Sequence, residues 1–415
     1  MENDKIKQFI IYDCVDFQDK YGFPDYRNYH IKNIQRIAQV HSTYRHAIKL
    51  LDTFYNHLLC KVPLRNKNSL NKPKILWYTT KNSFIFLNLK NSDFNIELIP
   101  SGIKDRLFAI KHNIKYNNLT DMFEYINNYI STNDPQHLTN LLGLIESKLN
   151  IINPDYVVLQ GDSLPVERAL ILICRQLGIT TINIQEGVYQ SQVDPPFGKV
   201  SDYVFVWGEH FKDIYVNRKI KTPDKVHIIG YPFEIKSLPK NRNEKLVVYC
   251  LGDNYEIYNI KYLGNKIKTL EGLNKICSKI GMSFYYRPHP GDNVELLQKL
   301  LPNINFSHET LEQSFIKGDI FIGFTSTTIP EASMRNKYTI QLRNYDIPND
   351  NLEELGGCSK TIETLDELEN YMINLIKLSS CHTLSFRKFN TSYIDITKNP
   401  SELFLNAINE IKNTK

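Results

Sequence analysis

The 415-residue sequence has no Cys-x-x-Cys pair, no Asp-x-Asp pair, no Walker-type phosphate loop and no long uninterrupted apolar run. Seven cysteines are scattered: Cys14, Cys60, Cys174, Cys250, Cys277, Cys358 and Cys381. An odd count without framework or ligand spacing argues against a disulfide scaffold and against a zinc site. Most of them sit in apolar runs such as Leu172-Ile173-Cys174, where a thiol behaves as a small hydrophobe. Without paired aspartates no divalent metal is indicated, and without the phosphate loop no ATPase. The polar segment Met1 to Lys7 precedes only a few apolar residues, which predicts neither a signal peptide nor a membrane span. The expected location is the cytoplasm.

Charge of one sign is also scarce. Fifty basic residues against 45 acidic ones give a formal net charge of +5. A nucleic-acid partner would need a concentrated basic face, so none is expected. The small excess is compatible with an anionic ligand, or with peripheral attachment at the inner face of the cytoplasmic membrane. No basic amphipathic helix argues strongly for the latter.

What is present is ordinary for a globular protein: 42% hydrophobic and 23% charged residues. The length favours two domains. A short apolar run at Phe9 to Tyr12 reads as a strand, and helical spacing of Ile31, Ile34, Ile37 and Val40 predicts a helix from about Asn28 to Leu59. A strand at Lys74 to Tyr78 opens a strand-rich stretch to about Leu98. Helices follow near Leu119 to Ile130 and His137 to Leu149. Then strands alternate with helices: Tyr156 to Leu159, Thr181 to Ile184, Tyr203 to Trp207 and Val226 to Ile229. Continuous apolar strands separated by helices imply a parallel sheet covered on both faces.

The stretch Lys236 to Lys245 is polar, holds a proline and lacks periodicity, so it reads as a linker. A second alternating series follows, with strands at Leu246 to Leu251, Ser283 to Tyr286, Asn303 to Phe306, Asp319 to Phe324 and Tyr338 to Leu342. The tail, Leu365 to Leu378 and Pro400 to Ile411, reads as helical. The expected architecture is α/β, with two Rossmann-like doubly wound domains facing a cleft. The division is 1–235 with a helical insertion, 246–390, and a C-terminal helix in 391–415.

Open α/β sheets bind ligands beyond the carboxyl ends of their strands, so residues there carry the chemistry. After the strand ending at Tyr286 comes Arg287-Pro288-His289-Pro290-Gly291-Asp292. Its two prolines stiffen the turn, His289 can donate to a phosphate oxygen, and Arg287 adds a planar permanent cation. After Phe324 come Thr325, Ser326, Thr327 and Thr328, leading into a helix with Pro330 and Glu331. Hydroxyls and free amides there suit a phosphate, although one threonine can serve only as a cap. Glu331 can reach a ribose hydroxyl or be an ordinary first-turn acid. Gln185-Glu186-Gly187 follows Ile184, and Glu186 can be a general base or a solvated turn acid. Asp162 and Ser163, after Leu159, can bind sugar or acceptor hydroxyls or cap the next helix. Asp253, after Leu251, can attack or stabilise an anomeric carbon or simply close a turn.

Gln185-Glu186 together with His289-Pro290 resembles the QE and HP motif pair of bacterial capsular and lipopolysaccharide Kdo transferases, which use CMP-Kdo. The polysialyltransferases, with CMP-sialic acid as donor, carry a comparable acidic and HP pair. Arg287-Pro288-His289 with the Thr325 to Thr328 turn also resembles the CDP-glycerol glycerophosphotransferases. The resemblance covers Asp155 to Leu342 and implies the two-domain GT-B fold. It further implies a metal-independent glycosyltransferase of surface polysaccharide synthesis, with a nucleotide-sugar donor, a CMP-activated 2-keto sugar acid, and a glycan or glycolipid acceptor. In the retaining Kdo group a carboxylate upstream of the HP motif is the nucleophile, and only Asp253 is placed to match it. No cofactor besides the donor is implied. A polyol-phosphate transferase, a nucleotide-sugar epimerase and a non-catalytic sugar-nucleotide scaffold stand as alternatives.

Overall fold

Two separate parallel sheets carry the described chain. The computed structural model describes residues 2–7, 9–10, 48, 50–53, 72–79, 83–89, 92–119, 121–189, 191, 197–235, 238, 245–253, 261–343, 349–379 and 389–414. The first sheet comprises β1 (Lys74–Tyr78), β2 (Asn95–Ile99), β3 (Tyr156–Leu159), β4 (Thr180–Ile184), β5 (Tyr203–Val206) and β6 (Val226–Ile228), in the order β2-β1-β3-β4-β5-β6. The second comprises β7 (Val247–Leu251), β8 (Ser283–Arg287), β9 (Ile320–Gly323), β10 (Tyr338–Leu342) and β11 (Lys360–Ile362), in the order β11-β10-β9-β7-β8.

Every residue of β3, β4, β5, β7, β9 and β10 is buried, because helices cover both faces; β3, β5, β7 and β9 accordingly read as near-continuous apolar runs, while β4 and β10 also bury Thr180, Thr181, Asn183, Thr339 and Gln341. On the first sheet the helices Asp121–Thr132, Pro135–Ile152 and Pro165–Gln176 cover one face, around Leu141, Ile145 and Val157. Proline at its first position and the Glu167 carboxylate accepting from Leu164 N (3.0 Å) start the helix Pro165–Gln176. Gly178, with φ +70°, follows its end.

The other face is covered from both ends of the chain. Helix Ser83–Leu89 lies there together with the final helix Pro400–Asn413, which returns to pack Phe404, Ala407, Ile408 and Ile411 into the first sheet's core. The Phe404 ring stands 5.4 Å from Trp77 and 5.3 Å from Phe205. Residues 400–413 are thus part of the first half's core rather than a free-standing appendage. Phe404→Ala is expected to cost about 3–5 kcal/mol of stability, the usual range for a buried phenylalanine; urea denaturation of the whole chain measures it.

Another cluster joins the halves: Val204, Trp207 and Phe211 from the first pack with Tyr249, Phe321 and Ile329 from the second. The last strand of the first sheet ends at Ile228 and the first of the second begins at Val247. Most of the linker expected at 236–245 lies outside the described residues, as does most of the helix expected at 28–59. Among the described residues no helix is long and apolar enough to cross a membrane.

Three local expectations are corrected. Phe9 and Ile10 are helical rather than extended, and Phe9 is held beneath the guanidinium groups of Arg168 and Arg175. Ser83–Leu89 is a helix inside the stretch read as strands; its buried Ile85, Phe86 and Leu89 form a helical face, and a short apolar run does not reveal its period. Asn303 to Phe306 makes only a single bridge, Tyr286 to Phe306, because asparagine at two of four positions weakens strand formation.

Candidate functional site

In the second sheet, β8 lies on one side of β7 and β9 on the other, so the direction of winding reverses between β7 and β9. A crevice opens at the carboxyl ends of such a pair. The loops meeting there are Gly252-Asp253 after β7, Arg287 to Asp292 from the end of β8, and Phe324 to Thr328 after β9.

The first two loops touch through their backbones. Gly252 N donates to Arg287 O (2.8 Å), and a Cβ at Gly252 would fall 2.4 Å from His289 N. Glycine is required by this approach. Gly252→Ala is expected to displace the histidine loop and destabilise the protein by about 1–3 kcal/mol, the cost of overpacking, read as a lower midpoint in chemical denaturation.

His289 is half-buried. Its Nδ1 accepts from Gly291 N (3.0 Å), so the neutral ring carries its proton at Nε2, as a donor. Burial lowers its pKa; Asp292 opposes this, while Lys266 and Arg287 reinforce it. The ring is therefore neutral near pH 7. Arg287 is also half-buried, and its Nε makes no hydrogen bond. Burial pulls its pKa down, and the Glu331 carboxylate pulls the other way.

In the third loop Ser326 Oγ and Thr328 Oγ1 bond each other (2.8 Å). Thr327 faces the first half: its Oγ1 accepts from Val188 N (3.1 Å) and would lie 2.9 Å from a Cβ on Gly187. The Gln185-Glu186-Gly187 loop and the hydroxyl turn are thus in contact. A second bridge runs from Tyr231 OH to Glu331 Oε1 (2.6 Å). Burial raises the Glu331 pKa, with Tyr231, Arg335 and Arg287 opposing.

The structure therefore gathers Arg287, His289, Thr325 to Thr328 and Glu331 at one edge, with Glu186 across from them. Glu186 is half-buried. The Tyr189 phenol beside it is raised mainly by burial, with a further contribution from the Glu186 charge. The other predicted residues lie outside that group. Asp162 is 1% exposed and accepts from Gly198 N (2.8 Å), Val200 N (2.7 Å) and Ser201 N (3.2 Å). Ser163, next to it, is half-buried. Gln185 is fully buried; its amide accepts from Trp207 N (2.8 Å) and donates to Gly187 O (2.8 Å), shaping the Glu186 loop from behind. Asp253 is 6% exposed, with Oδ1 3.6 Å from the ammonium of Lys266.

Two residues of this edge escaped sequence reasoning. Tyr231 carries no signal in the sequence, because nothing local reveals its partner Glu331. Lys266 had a signal: a lysine on the buried stripe Tyr262, Lys266, Thr269, Leu270 and Leu273 of the helix Lys261–Lys279. A cavity of about 900 Å³ lies elsewhere, at the amino ends of β4 to β6, lined by Arg175, Asp202, Tyr203, Lys225, His227 and Glu410. It contains none of the predicted residues.

Several solved structures resemble the chain in fold. It has the GT-B fold. A Listeria monocytogenes protein provisionally named a UDP-N-acetylglucosamine 2-epimerase aligns over 83% of this chain and 98% of its own, at 13% identity and TM-score 0.59. The UDP-GlcNAc 2-epimerase of Neisseria meningitidis, solved with UDP-GlcNAc bound, aligns over 82% and 100%, at 16% identity and TM-score 0.54. A glycosyltransferase from Rickettsia africae aligns over 83% and 97%, at 12% identity and TM-score 0.52. At such identities the likeness is one of fold. No family model and no curated protein matches the chain.

Proposed function

We propose that this protein is a metal-independent glycosyltransferase that binds a nucleotide-activated sugar at the carboxyl edge of β7, β8 and β9 and transfers the sugar to a glycan or glycolipid acceptor. The observation that carries the reading is Arg287, a half-buried guanidinium whose Nε is unsatisfied. Such a group is costly to bury without an anion. It stands in a set of neutral donors: the Nε2–H of His289 and the hydroxyls of the Thr325 to Thr328 turn. Arg287 is the one permanent cation of that set, and one cation matches a nucleoside monophosphate leaving group better than a diphosphate. This favours a CMP-linked donor, in keeping with the motif resemblance to enzymes that use CMP-activated 2-keto sugar acids in capsule and lipopolysaccharide synthesis.

In this reading the phosphate oxygens receive Arg287, His289 and the turn hydroxyls, and these interactions strengthen as the sugar–oxygen bond breaks and charge collects on the phosphate. Glu331, with Oε1 engaged by Tyr231, offers Oε2 to a ribose hydroxyl. Glu186 takes the proton from the acceptor hydroxyl. It is preferred over Asp253, whose carboxylate lies against Lys266 and is almost wholly enclosed. Direct attack by an activated acceptor would invert the anomeric centre.

A second reading, nucleotide-sugar epimerisation, is favoured by the near-complete alignment with two proteins carrying that name. Incubating purified protein with CMP-Kdo, CMP-sialic acid, UDP-GlcNAc and CDP-glycerol separates these readings. Release of CMP from a CMP-sugar supports transfer. Acceptor-independent conversion of UDP-GlcNAc supports epimerisation, and product retaining the phosphate supports a polyol-phosphate transferase. Absence of both turnover and binding with every donor would overturn the proposal.

A further inference from the structure

Beneath the histidine loop lies a buried ionic cluster that the chemistry above does not use. Lys266 is 1% exposed. Its ammonium donates to Asp253 O (2.6 Å) and to Asp292 Oδ1 (2.8 Å). The Asp292 side chain is fully buried, and its Oδ2 accepts from Tyr286 OH (2.7 Å) and from His289 N (2.7 Å). Asp292 N donates back to His289 O (2.9 Å). One lysine thus ties the loop after β7 to the loop after β8, and one aspartate closes the turn 289–292 with both its backbone and its side chain.

Buried ion clusters of this kind are seldom needed for stability, since apolar residues of similar volume often serve as well or better. Where a polar cluster contributes is in fixing one geometry. Here the geometry fixed is that of His289. Gly291, whose N–H reaches Nδ1 of His289, lies inside the turn that Asp292 closes, so its donor is placed by the cluster.

We infer that Lys266 and Asp292 are positioning residues: they clamp the 289–292 turn so that His289 holds a single neutral tautomer, with Nε2–H presented to the ligand's phosphate. The tautomer follows from geometry alone, while its use on a phosphate rests on the function proposed above. Loosening the clamp frees the Gly291 amide from Nδ1. The ring then populates both tautomers and offers a lone pair, rather than a donor, for part of the time.

The test is ¹⁵N NMR of histidine-labelled protein near neutral pH, with the His289 signals assigned through His289→Asn. The native protein is expected to show a protonated Nε2 and an unprotonated Nδ1. Asp292→Asn, and the double variant Lys266→Met with Asp292→Asn, are expected to give averaged signals of mixed tautomers. They should also bind CMP or UDP about 10-fold more weakly, as when the support behind a binding group is lost. Tyr286→Phe keeps every charge and removes one bond to Asp292; it should weaken binding by about threefold, because the lost bond supports the turn without touching the ligand, and it carries the test if the charge variants fail to fold. Folded variants that keep a fully protonated Nε2 would overturn the clamp. A native protein that binds neither CMP nor UDP would overturn the nucleotide reading instead, leaving the tautomer to decide the clamp on its own.

Discussion

Arg287→Ala is expected to weaken CMP binding by about 10- to 100-fold, corresponding to the loss of charge-assisted hydrogen bonds to a phosphate. Its effect on folding should have the opposite sign or be absent. Arg287 is half-buried, and its Nε has no hydrogen-bond partner, so the folded protein already bears part of the cost of desolvating it. Removing that cost leaves stability unchanged or raises it, as happens where a site is kept strained for binding. Calorimetric titration with CMP and thermal unfolding without ligand measure the two halves. A destabilised variant with unaltered affinity would make Arg287 a structural residue. Arg287→Lys should recover only part of the affinity, because an ammonium lacks the planar fork that meets two phosphate oxygens at once.

Glu186→Gln is expected to lower kcat by about 10²- to 10⁴-fold, the usual contribution of a positioned general base, while leaving CMP affinity within about twofold of native because the nucleotide is held by the other half. Asp253→Asn should behave differently. The Asp253 carboxylate lies beside the buried Lys266, so neutralising it removes part of that ammonium's compensation. The main result should be a loss of stability of about 3 kcal/mol. If Asp253→Asn abolished turnover in a protein of native stability while Glu186→Gln were harmless, the roles would be exchanged. A retaining mechanism through Asp253 would then replace the inverting one.

Much of this architecture can be read from the chain without a structure, and for one reason. Parallel strands buried on both faces are mostly apolar, so Tyr156 to Leu159 and Val247 to Leu251 announce themselves. Helix punctuation does the same at Pro165 and Gly178. The rule that ligands gather at strand carboxyl ends then singles out Arg287, His289 and the Thr325 to Thr328 turn before any coordinate is known. What escapes is set by contacts between segments far apart in sequence. Asp162 sits where a ligand-binding acid would sit, yet its carboxylate collects the amides of Gly198, Val200 and Ser201. Gln185 belongs to a two-residue motif, but its amide is occupied by Trp207 and Gly187. The Tyr231–Glu331 bond joins residues a hundred positions apart. None of these partners leaves a local trace. The Ser83–Leu89 helix fails for a different reason, since seven residues are too few for a hydrophobic period to declare itself.

Everything above depends on where the nucleotide phosphate sits: at Arg287, His289 and the Thr325 to Thr328 turn. A crystal structure with CMP bound tests it most directly. One phosphate oxygen is expected within hydrogen-bonding distance of the Arg287 guanidinium, another near His289 Nε2, and the ribose at Glu331. A nucleotide seated elsewhere, for example in the cavity at the amino ends of β4 to β6 beside Lys225 and His227, with Arg287 left untouched, would contradict it.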